Sequence, residues 1–233
     1  MMQSFNQFNQ NATMYNSDAL AAERNQVLRN TYFLLALTML PTAAGALLGM
    51  SLNFRVSGFM GFGLFMLVSF AAFYAIEKTK ESSAGVFLLL GYTGFMGLWL
   101  SQILQSAMKF SNGAEMIGMA AIGTAAIFFT LATIATVTKK DFSFMGKFLF
   151  IGLVIALLAA VANIFFAIPA LSLAISAVVL MICSAYVLYD VSRIVNGGET
   201  NYISATLSLY LNIYNIFVSL LNIIMAFTGN SRD

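Results

Sequence analysis

Residues 207–227 read LSLYLNIYNIFVSLLNIIMAF, and the fold turns on how this stretch is understood. It is long and apolar enough to cross a bilayer, which takes about 20 residues for ~30 Å of hydrocarbon. Yet it carries Ser208, Asn212, Asn215, Ser219 and Asn222, at steps of 4, 3, 4 and 3. Those steps place all five on one helical stripe. A stripe facing acyl chains would leave side-chain amides unsatisfied, at a cost on the order of several kcal/mol. The segment therefore reads as a spanning helix whose polar face packs against other spans or lines a water-accessible cavity. Two readings stay open for the stripe: interhelical hydrogen-bond glue, or the wall of a conducting path.

Six further stretches upstream meet the length test: Thr31 to Met50, Val56 to Ile76, Ala84 to Leu104, Met116 to Val137, Phe148 to Phe166 and Leu171 to Tyr189. The runs are continuous rather than alternating, which favours helices over a β-barrel. The expected fold is thus an all-α polytopic membrane protein with seven transmembrane helices. Composition agrees: of 233 residues, 60% are apolar and 9% charged, against about 25% charged in a soluble domain. Zero histidines remove the Ser-His and Cys-His pairs and the usual zinc ligand. The lone Cys183 removes disulfides and CxxC chemistry, and in its apolar run it reads as core rather than nucleophile. No acid–base pair can be assembled, so no enzyme and no cofactor is expected. A net charge of +2 offers no basic field for nucleic acid.

Residues 1–28 are Asn/Gln-rich, lack the layout of a signal peptide, and read as a flexible polar tail. The membrane domain is expected over 29–229, with a short C-terminal tail at 230–233. Arg24, Arg29, Lys78, Lys80, Lys139, Lys140, Lys147 and Arg193 fall on one side of the spans, and only Arg55, Lys109 and Arg232 on the other. This imbalance predicts a cytoplasmic N-terminus and, with seven spans, an outward C-terminus.

Small residues mark places for close helix approach: Thr38, Thr42, Gly45 and Gly49 in the first span, Gly91, Gly94 and Gly97 in the third, Gly123 in the fourth. Pro41 predicts a kink or an unpaired carbonyl. Asp190 is the ionisable residue of note, at the cytoplasmic end of the sixth span. Asn212, about one turn into the seventh, lies at similar depth, so the two can meet. The alternative is an interfacial Asp190 paired with Arg193 three residues on.

These residues also carry a resemblance. Tyr189-Asp-Val-Ser-Arg-Ile194, Glu199-Thr-Asn-Tyr202 and Leu207 to Phe217 resemble the C-terminal signature of the Bax inhibitor-1 family, and Lys139 to Phe144 and Ala162 to Phe165 resemble its middle. Val27 to Phe33 and Gly197 to Tyr202 resemble its bacterial YccA-like branch. The resemblance runs from about Val27 to Phe227. It implies a seven-helix bundle with the last helix central, in a bacterial inner membrane. It also implies modulation of the FtsH-type membrane protease and of membrane-protein quality control, engaged through the N-terminal tail. A flexible end is what an unfolding machine grips.

Some members of the family are described as pH-sensitive calcium leaks, with two aspartates at the positions of Asp190 and Asn212. Two close carboxylates share a proton, and its release can switch a gate. Here the second partner is Asn212, which does not ionise. The resemblance then implies a gate built from Asp190, Asn212 and Arg193, with Ser208, Asn215, Ser219 and Asn222 along the path. Calcium at Asp190, as a bound or transported ion, would lose one formal charge of its site.

Overall fold

Each apolar stretch forms one helix. The computed structural model describes the backbone of residues 2–56 and 58–229, and side chains from Leu20 to Thr228 except Ser57. Helix α1 spans Met2–Ser51, α2 Gly58–Thr79, α3 Ser83–Ala107, α4 Gly113–Thr138, α5 Gly146–Phe166, α6 Pro169–Val195 and α7 Tyr202–Gly229, with a 3-10 turn at Ser143–Met145 before α5. Among the described residues, seven helices are long and apolar enough to cross a membrane. The chain is therefore an all-α polytopic membrane protein.

The helices outrun the expected spans at several ends. The polar N-terminal segment, expected as a flexible tail over 1–28, has helical backbone from Met2 that runs on into the first span. Val27 and Leu28 already pack into the core, so bundle packing begins before the expected boundary at 29. Helix α1 passes through Pro41 without a break. The expected C-terminal tail, 230–233, lies outside the described residues.

Hydrogen bonds between loops and helix ends define two faces. On one, Asn201 Nδ2 donates to Lys80 O at 3.0 Å and Ser192 Oγ to Lys140 O at 2.9 Å. Thr206 Oγ1 donates to Thr31 O at 3.3 Å. This face holds the start of the spanning part of α1, the starts of α3, α5 and α7, and the eight Lys and Arg residues grouped above; we call it the basic face. The Asn201 side chain also fixes where α7 begins. Its Oδ1 accepts from the N–H groups of Ile203 (2.9 Å) and Ser204 (3.1 Å), satisfying two donors that a helix start leaves orphaned. Hydrogen bonds from Ser143 to Asp141, in the loop after α4, hold that carboxyl below its usual range.

On the far face, Gln105 Nε2 donates to Gly49 O and Phe54 O at 3.3 Å each, and Gln102 Oε1 accepts from Val56 N–H at 3.0 Å. The end of α3 thereby ties down the α1–α2 connection.

Lipid tails are as apolar as leucine, so close packing and hydrogen bonds, not burial from water, hold spanning helices together. The tightest seam runs between α1 and α3. A Cβ added at Gly45 would come within 2.1 Å of Gly94 O, and one at Gly97 within 2.0 Å of Thr42 O. Gly49 is pressed against the Ser101 hydroxyl in the same way. The glycine pattern is only partly used, however: Gly91, one of the expected approach points, faces open space. Phe65, Phe95 and Trp99 stack between α2 and α3. Helix α7 packs against α1, α2, α3, α4 and α6, whereas α5 packs on α6 and the turn that precedes it. Of the α7 side chains described, only Phe227 is exposed.

Candidate functional site

The candidate site is built where α6 ends and α7 begins. Helix α6 runs on to Val195, so Asp190 lies more than a turn inside it rather than at its end. The residue is 7% exposed. On the neighbouring helix Ser208 and Asn212 stand four residues apart and so share a face. Ser208 Oγ donates to Asp190 Oδ2 at 2.6 Å, and Asn212 Nδ2 donates to the same oxygen at 2.8 Å. Asn212 is itself 8% exposed. The meeting of Asp190 with Asn212 is thus present in the geometry, and Ser208 joins it as a third member. Charge-assisted bonds of this kind are among the stronger ones a carboxylate makes.

Arg193 is not a member. No ion pair joins it to Asp190 among the described residues. Its Nη2 donates to Gly198 O at 2.9 Å and lies 3.5 Å from Glu199 Oε2, and its guanidinium stands 5.7 Å from the Tyr189 ring centroid. The reason is the turn that ends α6. Gly197 adopts φ +79°, a conformation costly for side chains with a Cβ, and the chain folds back so that Gly198 N–H reaches Arg193 O at 2.7 Å. This is the glycine-capped helix end, and it delivers Glu199 to Arg193. The i,i+3 pairing of Asp190 with Arg193 is therefore corrected: the cation is held by the loop. Arg24 of α1 lies over the same turn, where a Cβ on Gly197 would meet its Nε at 2.8 Å.

The rest of the stripe does not converge on Asp190. Asn215 Nδ2 donates back to Leu211 O at 2.8 Å, Ser219 is buried, and Asn222 is half-buried. None of the five stripe residues is exposed: Asn212 and Ser219 are buried, and Ser208, Asn215 and Asn222 are partly buried. As a cation site the trio is sparse. It brings together a carboxylate, a hydroxyl and a carboxamide, whereas calcium takes six to eight oxygens. No group of three His, Cys, Asp or Glu residues suited to a metal occurs among the described residues. Cys183 is buried in the core.

A second polar junction escapes the sequence pattern. Tyr210 OH shares a hydrogen bond with Thr42 Oγ1 at 2.8 Å and reaches Thr93 O at 3.4 Å, tying α7 to the α1–α3 seam. Its only advance signal is the spacing of Tyr210 and Tyr214, one turn apart on a face next to the stripe.

A seven-helix membrane bundle with a buried carboxylate gripped between its last two helices is the class of protein that these features define. The chain belongs to the Bax inhibitor-1 family: the family model described as inhibitor of apoptosis-promoting Bax1 matches residues 24–230. It is 42% identical over 200 residues to the modulator of FtsH protease YccA of Escherichia coli (strain K12), covering 86% of this chain and 90% of that protein. The inner membrane protein YccA of Escherichia coli O6:H1 matches to the same extent. An uncharacterized membrane protein of Vibrio cholerae is 40% identical over 208 residues, 89% of this chain and 92% of its own length.

Proposed function

We propose that this chain is a multi-pass modulator of an FtsH-type ATP-dependent protease, seated in a bacterial inner membrane with its N-terminus in the cytoplasm. The observation that carries this reading is the 42% identity to a protein named as such a modulator, over 86% of the present chain. The polar segment that precedes Arg24 supports it physically, because it extends beyond the apolar span and an unfolding machine needs an end to grip. Residues 1–23 can be deleted and turnover of the chain followed in cells with and without the protease. The expected outcome is stabilisation of the truncated chain only where the protease is present. Equal turnover in all four combinations overturns the proposal.

A second reading is favoured by one observation, the double capping of buried Asp190 by Ser208 and Asn212. In this reading the trio closes the basic-face mouth of an ion path along the α7 stripe, and calcium is the candidate ion. Purified protein in liposomes loaded with a calcium dye tests it. Flux above empty vesicles that rises in Asp190→Ala supports the gate; flux no greater than in empty vesicles, in both proteins, removes it.

A further inference from the structure

Helix α1 closes on α3 but stands off from α4. Between α1 and α4, floored by Tyr210 and Tyr214 of α7, lies a cavity of about 730 Å³. Met39 on one rim and Phe129 and Val137 on the other are exposed on the perimeter of spanning helices, so the slot opens sideways into hydrocarbon. Three of its hydroxyls are already bonded within the protein: Thr42 to Thr38 O and Tyr210 OH, Thr124 to Ala120 O and Thr136 to Ala132 O, at 2.7–2.8 Å. What remains for an occupant is an apolar, elongated surface.

Shape selects the occupant. Along α4 the lining runs from Ala121 to Val137, about 24 Å at 1.5 Å per residue. A cavity of about 730 Å³ drawn out over that length is narrow, and a helix with its side chains is about 10 Å across. A single alkyl chain fits; a partner's spanning helix does not.

Charge selects its head. Arg29 stands one turn before Tyr32 on the α1 stripe that lines the slot, and Lys139 and Lys140 come just past the end of α4, after Val137 and Thr138. All three are exposed, and none forms an ion pair among the described residues. Asp141, the acid beside Lys140, accepts from the Ser143 N–H at 2.8 Å. Cations therefore stand at the basic-face ends of both helices that wall the apolar slot.

We propose that this slot binds one anionic phospholipid from the basic-face leaflet. One tail lies between α1 and α4, and the phosphate meets Arg29, Lys139 and Lys140. Basic clefts between spanning helices are suited to anionic headgroups, because the charge lies where the headgroups are while the tail stays in hydrocarbon. The site is separate from Asp190 and independent of the protease reading.

The test is native mass spectrometry of the purified full chain titrated with phosphatidylglycerol and, in parallel, phosphatidylcholine of the same tails. The expected result is at least a tenfold preference for phosphatidylglycerol in the first bound lipid. The triple variant Arg29→Gln, Lys139→Gln, Lys140→Gln should lose that preference, keeping weak binding of both lipids. Ala125→Phe and, separately, Ala121→Phe place a ring in the slot with the three cations intact, and each should lower retention of phosphatidylglycerol about tenfold. Two slot variants are used so that one that misfolds, seen by size-exclusion chromatography, leaves the other to decide. Equal binding of the two lipids by the unaltered chain, or unchanged retention in the folded slot variants, overturns the proposal.

Discussion

The two flanks of α1 behave in opposite ways. Toward α3 the backbones nearly touch, with Gly45 against Gly94 O and Gly97 against Thr42 O. Toward α4 the helix is held away, and the Tyr32 and Phe128 rings meet edge-on across the gap at 6.1 Å. Both flanks are apolar, so hydrophobicity does not separate them. What differs is the glycines on the closed flank and the ring pair across the open one. In a bilayer there is no gain from hiding one apolar surface against another rather than against lipid. Helices close where glycines let backbones approach; on the α4 side, where Ala121, Thr124, Ala125 and Ala132 are small as well, the Tyr32 and Phe128 rings stand between the helices. Tyr210 sits at the junction, its ring flooring the gap and its hydroxyl bonded into the seam.

The sharpest way to break this contrast is to add bulk on the closed flank. Gly97→Val puts a side chain into the Thr42 carbonyl, and since backbone rather than a flexible side chain must yield, the loss is expected at or above the upper end of the roughly 1–3 kcal/mol typical of overpacking. The measurement is thermal unfolding in detergent, with the monodisperse fraction as a second readout. Gly91→Val, on the same helix but facing open space, should stay within about 0.5 kcal/mol; equal effects at the two positions would show that the seam is not what size controls.

Next in magnitude is Asp190→Ala, which leaves the Ser208 hydroxyl and the Asn212 amide without their acceptor. A loss of about 1–3 kcal/mol is expected, and Asp190→Asn should recover part of it, because its carboxamide oxygen still accepts. Tyr210→Phe removes only the hydroxyl between seam and gap. Interhelical hydrogen bonds in membranes average about 0.6 kcal/mol, so a loss of that order is expected by the same unfolding measurement. No loss at all would mean that packing alone seats α7 on α1 and α3.

Much of the site was legible in advance, for identifiable reasons. The approach of Asp190 and Asn212 followed from depth, because both lie near the same end of adjacent, antiparallel spans. The partner of Arg193 was not legible. It depends on Gly197 turning the chain back so that Glu199 arrives beside it, and a spacing rule within one helix does not see the loop beyond. Gly91 and Gly97 look alike as sequence, yet one faces open space and the other touches backbone, since which side of α3 meets α1 is a matter of helix rotation. Ser208 entered the carboxylate cluster for the same geometric reason, through the rotation that brings it round to Asp190.

Sequence alone determined seven spans, their alternation, and the shielding demanded by the Asn and Ser row of α7. These are local properties: hydrocarbon thickness sets length, and unsatisfied amides forbid lipid exposure, whatever the neighbours are. Only the tertiary structure decided which flank of α1 closes, which oxygen of Asp190 carries two donors, and where a slot is left beside α4. Those depend on the rotation and register of one helix against another. In a membrane, that choice rests on the fit of side chains across the interface, a property of pairs of segments that neither segment carries by itself.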